Sequence, residues 1–522
     1  MSGLGRFYRL FSIDLRSLAL FRLGLATIIL CDLAWYRLPN VGAFYTDDGM
    51  YPISAAEAWL GDAGGWSLCL LDGSPGFQTA MFAVTGLFAL ALLLGWQTRA
   101  ATIGCWVMLV SIANRNALVS NYGDSIMQIF LFWSIFLPLG GKWSIDSRRK
   151  SSRQPNSAAQ RPLPTAVCSI PSAVTMLQLC LIYFFAALWK WNSDWLSGSA
   201  VETAFLLEYA RRESPIDLLQ YKFLLRPLTI STLFLELLGP LVVWIPYRTN
   251  LIRYAMIGAF SMLHLSIELY FTPLLLSYAC VVAWLLFLPA SFWENRFIRR
   301  LTGENCSDEQ ESPSTTAEFA QPAATGVSAR FRHRCTSGIC IVLFIYVVMW
   351  NTATLNPKRL GFLIPHQIAW VGHVTMLGQT WDMFSRPSQH NGWFKARARL
   401  ANQDTVDLLR DGETFDRDSL ASNWSYYPGS RWKMFFRRLG IWKDSEPICN
   451  HVAEYLLTQW NEQHPDEQRA LELSFLYYER LGDSQANGFT VRQMGSANNG
   501  EQQDWEVTLD RLDSIYSGGL LN

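Results

Sequence analysis

Long apolar stretches separated by polar turns dominate the first two thirds of the chain. They fall at 16–36, 78–96, 100–118, 124–140, 173–191, 228–246, 252–270, 273–291 and 337–353. Each approaches the about 20 residues that a helix needs to cross the hydrocarbon layer. The junction of the third and fourth, ANRNALVSNYGD, is polar enough for a re-entrant loop in place of two crossings. Beyond residue 354 the period changes. WFKARARLAN and TVDLLRDG alternate polar and apolar positions, which predicts two strands joined by an Asn-Gln-Asp turn. The run around Arg431, Trp432 and MFFRRL predicts a helix packed on them. HVAEYLLTQWNEQ (451–463) places Val452, Tyr455, Leu456 and Trp460 on one helical face. LELSFLYYERL alternates again as a strand, and the polar stretch 486–504 reads as a mobile loop. The fold class expected is an α-helical polytopic membrane protein of about nine spans, followed by a small α+β extramembrane C-terminal domain.

This division gives a transmembrane bundle over 1–300, a last span at 337–353 and an α+β domain over 354–522. Two segments, 147–171 and 301–336, are rich in Ser, Pro, Gln and Ala and read as linkers, because they lack the apolar surface to order. Loop charges orient the bundle, since Lys and Arg collect on the cytoplasmic side. Arg6, Arg9, Arg99, Arg148, Arg149, Arg248, Arg253, Arg296 and Arg332 all fall inside if the N-terminus is inside. An odd number of crossings then puts 354–522 outside, and an even number reverses only that domain. The expected location is an inner or plasma membrane. Charged residues make up 16% and the formal net charge is zero, so nothing points to nucleic acid. The ten cysteines form no CxxC pair, and only Cys449 lies beyond 354.

Ionisable groups inside the apolar stretches are the candidate chemistry, because charge in a membrane is costly and faces a partner, a cavity or the protein interior. They are Arg22, Asp32, Lys190, Glu236, His264 and Glu268. Asn121 and Asp124 sit in an outer turn. Arg22 reads as paired to structure, and Asp32 as solvated at a helix end. His264 and Glu268 are four apart, hence on one helix face, where the carboxylate could orient the imidazole. Lys190, between Trp189 and Trp191, admits two readings. It is a cation snorkelling to the headgroups, or a base in a dry pocket, where desolvation disfavours ammonium and a neutral amine can take a proton from an acidic reactant. A metal site of Glu236, His264 and Glu268 is a third option, although no metal is expected. His366, His373 and His390 have no common metal spacing. The sequon at Asn423 would matter only in a eukaryotic secretory compartment.

Several motifs together resemble the horizontally transferred transmembrane (HTTM) family, which includes the vitamin K-dependent gamma-glutamyl carboxylases and bacterial relatives. They are DLRSLALFRLGLA (14–26), FYTDDGMYP (44–52), NYGDSIMQIFLFWSIFLPLGGKWSID (121–146) with Trp143, Ser144 and Asp146, and YFFAALWKWNSDWLSG (183–198). The last fits Tyr-Phe-x-Ala-x-x-x-Lys-x-x-x-x-Trp-x-x-Gly. After the last span, Gln379, Trp381, Met383, Phe384 and Pro387 resemble a stretch of bacterial members. The resemblance implies a quinol-dependent, carboxylase-like lyase or oxidoreductase, with Lys190 as the base, His264 with Glu268 as the polarising group, and Asn121, Asp124 and Glu236 near the cofactor. That cofactor would be a reduced, vitamin K-like quinone. The partners would be the lipid bilayer and a protein or peptide substrate on the outer face. Carboxylases carry an Asn-His pair where this chain has Asn121, Tyr122 and Gly123. The alternative is a non-enzymatic membrane scaffold or partner-binding protein of the same family.

Overall fold

The computed structural model describes residues 10–61, 64–152, 165–207, 211–212, 214, 216–272, 274–302, 319–320, 327–386, 391–417, 424–441, 445–480 and 489–498. His390, Pro387 and Asn423 lie outside them.

Helices α1 (Leu15–Asp32), α2 (Pro75–Leu94), α3 (Thr98–Arg115), α4 (Tyr122–Ser134) and α5 (Ile170–Trp189) build the first half of the bundle. Helices α6 (Lys222–Val242), α7 (Thr249–Tyr270), α8 (Leu276–Trp284) and α9 (Val327–Leu355) complete it. Each of the nine apolar stretches falls on one of these helices. Five of them are long and apolar enough to cross a membrane: α1 with its extension to Tyr45, α2, α5, α6 and α9 from Phe331. α4 has only 13 residues and α8 only nine. At 1.5 Å per residue these reach about 20 and 14 Å, short of a bilayer. α4 is almost wholly buried, and six of the nine residues of α8 are buried. Their apolar composition therefore reflects packing inside the bundle as much as lipid exposure. By contrast α2 turns Leu87 and Leu94 outward, as a lipid-facing helix would.

The helix starts follow from capping chemistry. Ser74 accepts from Phe77 N, and Ser169 forms a capping box with Ser172 ahead of Pro171. Asn121 forms another with Asp124 at the start of α4. Gln97, which precedes α3, has φ +43° and caps nothing; Asp146 does so from a distance, accepting from Gln97 N (3.0 Å), Thr98 N (2.8 Å) and Thr98 Oγ1 (2.7 Å). These bonds, set against its partial burial, hold the Asp146 carboxyl below the usual range. This gives the Trp-Ser-x-Asp motif a structural purpose. Nearby, Gly95 has φ +66°, and a Cβ there would meet Ser144 Cβ at 2.3 Å, so no other residue fits. Arg22, buried in α1, donates to Leu139 O (3.3 Å) and Trp143 O (2.6 Å), consistent with a structural role.

Strands β1 (Ser12–Asp14), β2 (Ala166–Cys168) and β3 (Phe319–Ala320) form a small sheet in the order β1-β2-β3. β2 and the helix Ile145–Ser152 fall within or beside the stretch that composition marks as a linker at 147–171.

After α9, helix α10 (His366–Thr375) leads through an extended strap, 376–386, to a five-stranded sheet. Its strands are β4 (Asn391–Leu400), β5 (Thr405–Asp407), β6 (Glu413–Thr414), β7 (Ala470–Arg480) and β8 (Phe489–Asn498), in the antiparallel order β6-β5-β4-β7-β8. Helices α11 (Ser430–Ile441) and α12 (Glu446–Gln463) pack on it. The stretch 486–504 is thus not a loop throughout, because Phe489–Asn498 pairs with β7. Its apolar residues are few because β8 is an edge strand with one face open to water. Gly495 lies at the bulge, where a Cβ would come within 2.6 Å of Cys449 backbone atoms. Cys449 itself is fully buried, which pushes its thiol up to about 12.

Candidate functional site

The candidate residues separate into two buried polar clusters. In the first, Asp32 and Asp124 alternate with two guanidinium groups. Arg37 Nε lies 2.5 Å from Asp32 Oδ2, and its other end bonds Asp124 and Tyr45 Oη. Arg431, from α11, reaches Asp32 Oδ1 at 2.6 Å and Asp124 Oδ1 at 3.1 Å, and donates to Val119 O at 2.8 Å. Burial and the adjacent Arg37 oppose the charge on Arg431, but Asp124 and Asp32 outweigh them and keep it protonated. Asp32 is therefore a buried ion-pair partner, 1% exposed, and not a solvated helix end. The gap beside this quartet is about 10 Å³, room for one water at most. Asn121 and Asp124 are spent on the α4 cap and the quartet, and neither lines the larger cavity described next.

The second cluster faces open space. Lys190 ends α5, with its backbone N–H bonded to Ala186 O, where a cation complements the helix dipole. It is 3% exposed, so it does not snorkel. Its Nζ lies 2.8 Å from Glu236 Oε2, an ion pair whose N–H is not aligned for a hydrogen bond. The Trp195 ring lies 5.4 Å from the same Nζ. Lys190 and Glu236 line a cavity of about 410 Å³, together with Tyr183, His264 and Cys280. The remaining walls are mostly aliphatic and aromatic, with Thr232 and Ser266 among them, and come from α4 to α8, the segment 195–205, Leu218 and the strap. This volume and lining are those of a small-molecule site.

His264 sits one helix away from the ion pair. Its Nε2 is 2.7 Å from Tyr183 Oη, and Trp284 Nε1 donates to that same oxygen at 3.1 Å. An indole N–H can only donate, so the arrangement favours a hydroxyl hydrogen directed at His264 Nε2. His264 Nδ1 is buried with no partner among the described residues. Glu268 does not assist it. Its Oε1 pairs with Arg212 at 2.9 Å, and it does not line the cavity. A four-residue spacing allowed the contact, but the arginine from the preceding loop supplies the closer charge. The structure thus brings together Lys190, Glu236 and His264, and leaves Glu268, Asn121 and Asp124 elsewhere. Among the described residues no three His, Cys, Asp or Glu are grouped to hold a metal ion. His366 is exposed, and His373 stacks edge-on against Trp350.

Three residues that sequence reasoning does not single out matter here. Tyr183 lies seven positions before Lys190, two helical turns, and so on the same face. Trp195 is the tryptophan of the same motif. Arg431 gives no sequence signal of its partners.

Residues 70–293 match the family model of the HTTM domain. The match holds α2 to α8, and with them Lys190, Glu236 and His264, while α1, α9 and the strap lie outside it. The match and the five long apolar helices together support a membrane-embedded protein. No curated protein and no solved structure matches the chain.

Proposed function

We propose that the HTTM domain is a membrane enzyme that takes a proton from a lipid-soluble weak acid of the reduced-quinone class, with Lys190 as the base. The observation that carries this is a buried amine opening on an apolar cavity of about 410 Å³ while paired to one carboxylate. A planar, apolar ring fits such walls, and the orphaned His264 Nδ1 is a polar atom that a ligand oxygen would satisfy. A reduced quinone bound there would supply a weakly acidic O–H and two electrons. Tyr183, Lys190, Trp195 and His264 would hold it.

The ion pair stores one mobile proton. Lys190 passes it from Nζ to Glu236, which leaves a neutral pair, and the freed amine then accepts a proton from the reactant. The resulting ammonium stands beside the new anion in a medium of low dielectric, where that attraction is strong. His264, held by Tyr183, donates to the developing negative charge. The carboxylase resemblance supports this reading through the position of Lys190. Transfer of carbon dioxide to a peptide on the outer face is its furthest extension. The loop charges support an inside N-terminus, and an odd number of crossings, such as nine, would put the C-terminal region outside.

Purified protein in lipid should bind reduced naphthoquinone, and Lys190→Ala should lose turnover while keeping its fold. Full activity in that variant would overturn the proposal.

A further inference from the structure

The cavity wall beside Lys190 comes from outside the HTTM domain. Trp381, Met383 and Phe384, on the strap that follows α10, line the cavity. Four tethers hold this strap. Tyr122 Oη donates to Asp382, Trp195 Nε1 to Phe384 O (2.8 Å), Asn192 Nδ2 to Ser385 O (2.7 Å) and Gln379 Nε2 to Ser125 O (3.4 Å). Phe384 has φ +56°, a left-handed backbone that a phenylalanine keeps only where its surroundings enforce it. Its ring packs on Phe271 with centroids 5.7 Å apart. Strain held by polar tethers at a cavity wall is the pattern of a ligand clamp.

Trp195 belongs to both parts. Its N–H holds the strap, its ring faces the Lys190 ammonium at 5.4 Å, and it is 4% exposed. One hydrogen bond therefore sets the plane of the ring that shields the amine. We propose that the strap is a part of the site, and that Trp195 is the positioning residue that couples it to Lys190, keeping the amine from water. The consequence for catalysis rests on the function proposed above, but the shielding does not, and it can be read without turnover.

The test uses the full chain in lipid nanodiscs and trinitrobenzenesulfonate, a water-soluble amine reagent, with labelling of each lysine quantified by peptide mass spectrometry. Lys222, whose side chain is 77% exposed, is the internal reference. In the native chain Lys190 should label at least tenfold more slowly than Lys222. Tyr122→Phe combined with Trp195→Phe removes two tethers, keeping the Tyr122 ring and leaving a smaller phenyl ring at 195. It should raise the ratio of Lys190 to Lys222 labelling several-fold. Phe384→Gly suits the +56° backbone and removes the wall without adding strain, and it should do the same. An unchanged ratio in both variants, or rapid Lys190 labelling in the native chain, overturns the proposal. Loss of turnover in Lys190→Ala is a separate result, so a protected amine in an inactive protein would sink the proposed chemistry and leave the strap's role standing.

Discussion

The two buried polar clusters use the same kinds of residue and differ in what surrounds them. Asp32, Arg37, Asp124 and Arg431 neutralise one another, with about 10 Å³ left between them and their neighbours. Lys190 and Glu236 also neutralise each other, but they border about 410 Å³ of apolar space. Burial and charge alone do not separate structure from chemistry. What separates them is whether the paired charges have room for a third party. The quartet fastens the C-terminal domain to the bundle. The pair borders the space in which the proposed reactant would sit.

The contrast predicts opposite phenotypes. Arg431→Ala should be the most destabilising change, by about 3–5 kcal/mol, since it strands two buried carboxylates with one guanidinium. Thermal unfolding in detergent, with proteolysis of the C-terminal domain as a second readout, measures it. Lys190→Arg keeps the charge and should leave unfolding near native. Yet turnover should fall about 10²–10⁴-fold, the range of a lost general base, because guanidinium does not give up its proton. Near-native turnover would place this pair with the quartet. Tyr183→Phe removes the bond that orients His264 and should lower turnover about tenfold, a change of ~1.4 kcal/mol, with less effect on binding.

A stability effect smaller than that of Arg431→Ala belongs to Asp146. Asp146→Ala removes the distant cap of α3 and should cost about 1–2 kcal/mol of stability. The sign with pH follows from its lowered folded-state pKa. The contribution is present above the unfolded carboxylate range and disappears as pH falls through the folded value. Comparing the pH dependence of melting for the native and Asp146→Ala chains checks this, and the difference between them should shrink on acidification.

Much of the helical plan is legible in the sequence, because all nine apolar stretches are helices. Their length in the membrane is less so. The buried α4 and α8 are apolar for packing, and composition cannot tell a protein neighbour from a lipid one. In the C-terminal domain β4, β5, β7, α11 and α12 fall where periodicity puts them, whereas the polar edge strand β8 carries no such period. Lys190, Glu236 and His264 stand out since intramembrane charge is expensive. Their grouping is tertiary and was not fixed by spacing. Glu268 shows the converse, where a helical i,i+4 pair was available and a loop arginine took the carboxylate. Arg431 lies 399 residues from Asp32, and no local pattern joins them.

The most direct test is optical. 1-Naphthol is a small, apolar weak acid whose anion absorbs at longer wavelength than the neutral form. Titrated into the full chain in nanodiscs at neutral pH, it should bind and show the anion band. Lys190→Met should bind it without that band. Binding in the neutral form alone by the native chain, or an equal anion band in both proteins, would contradict a proton-accepting amine in the cavity.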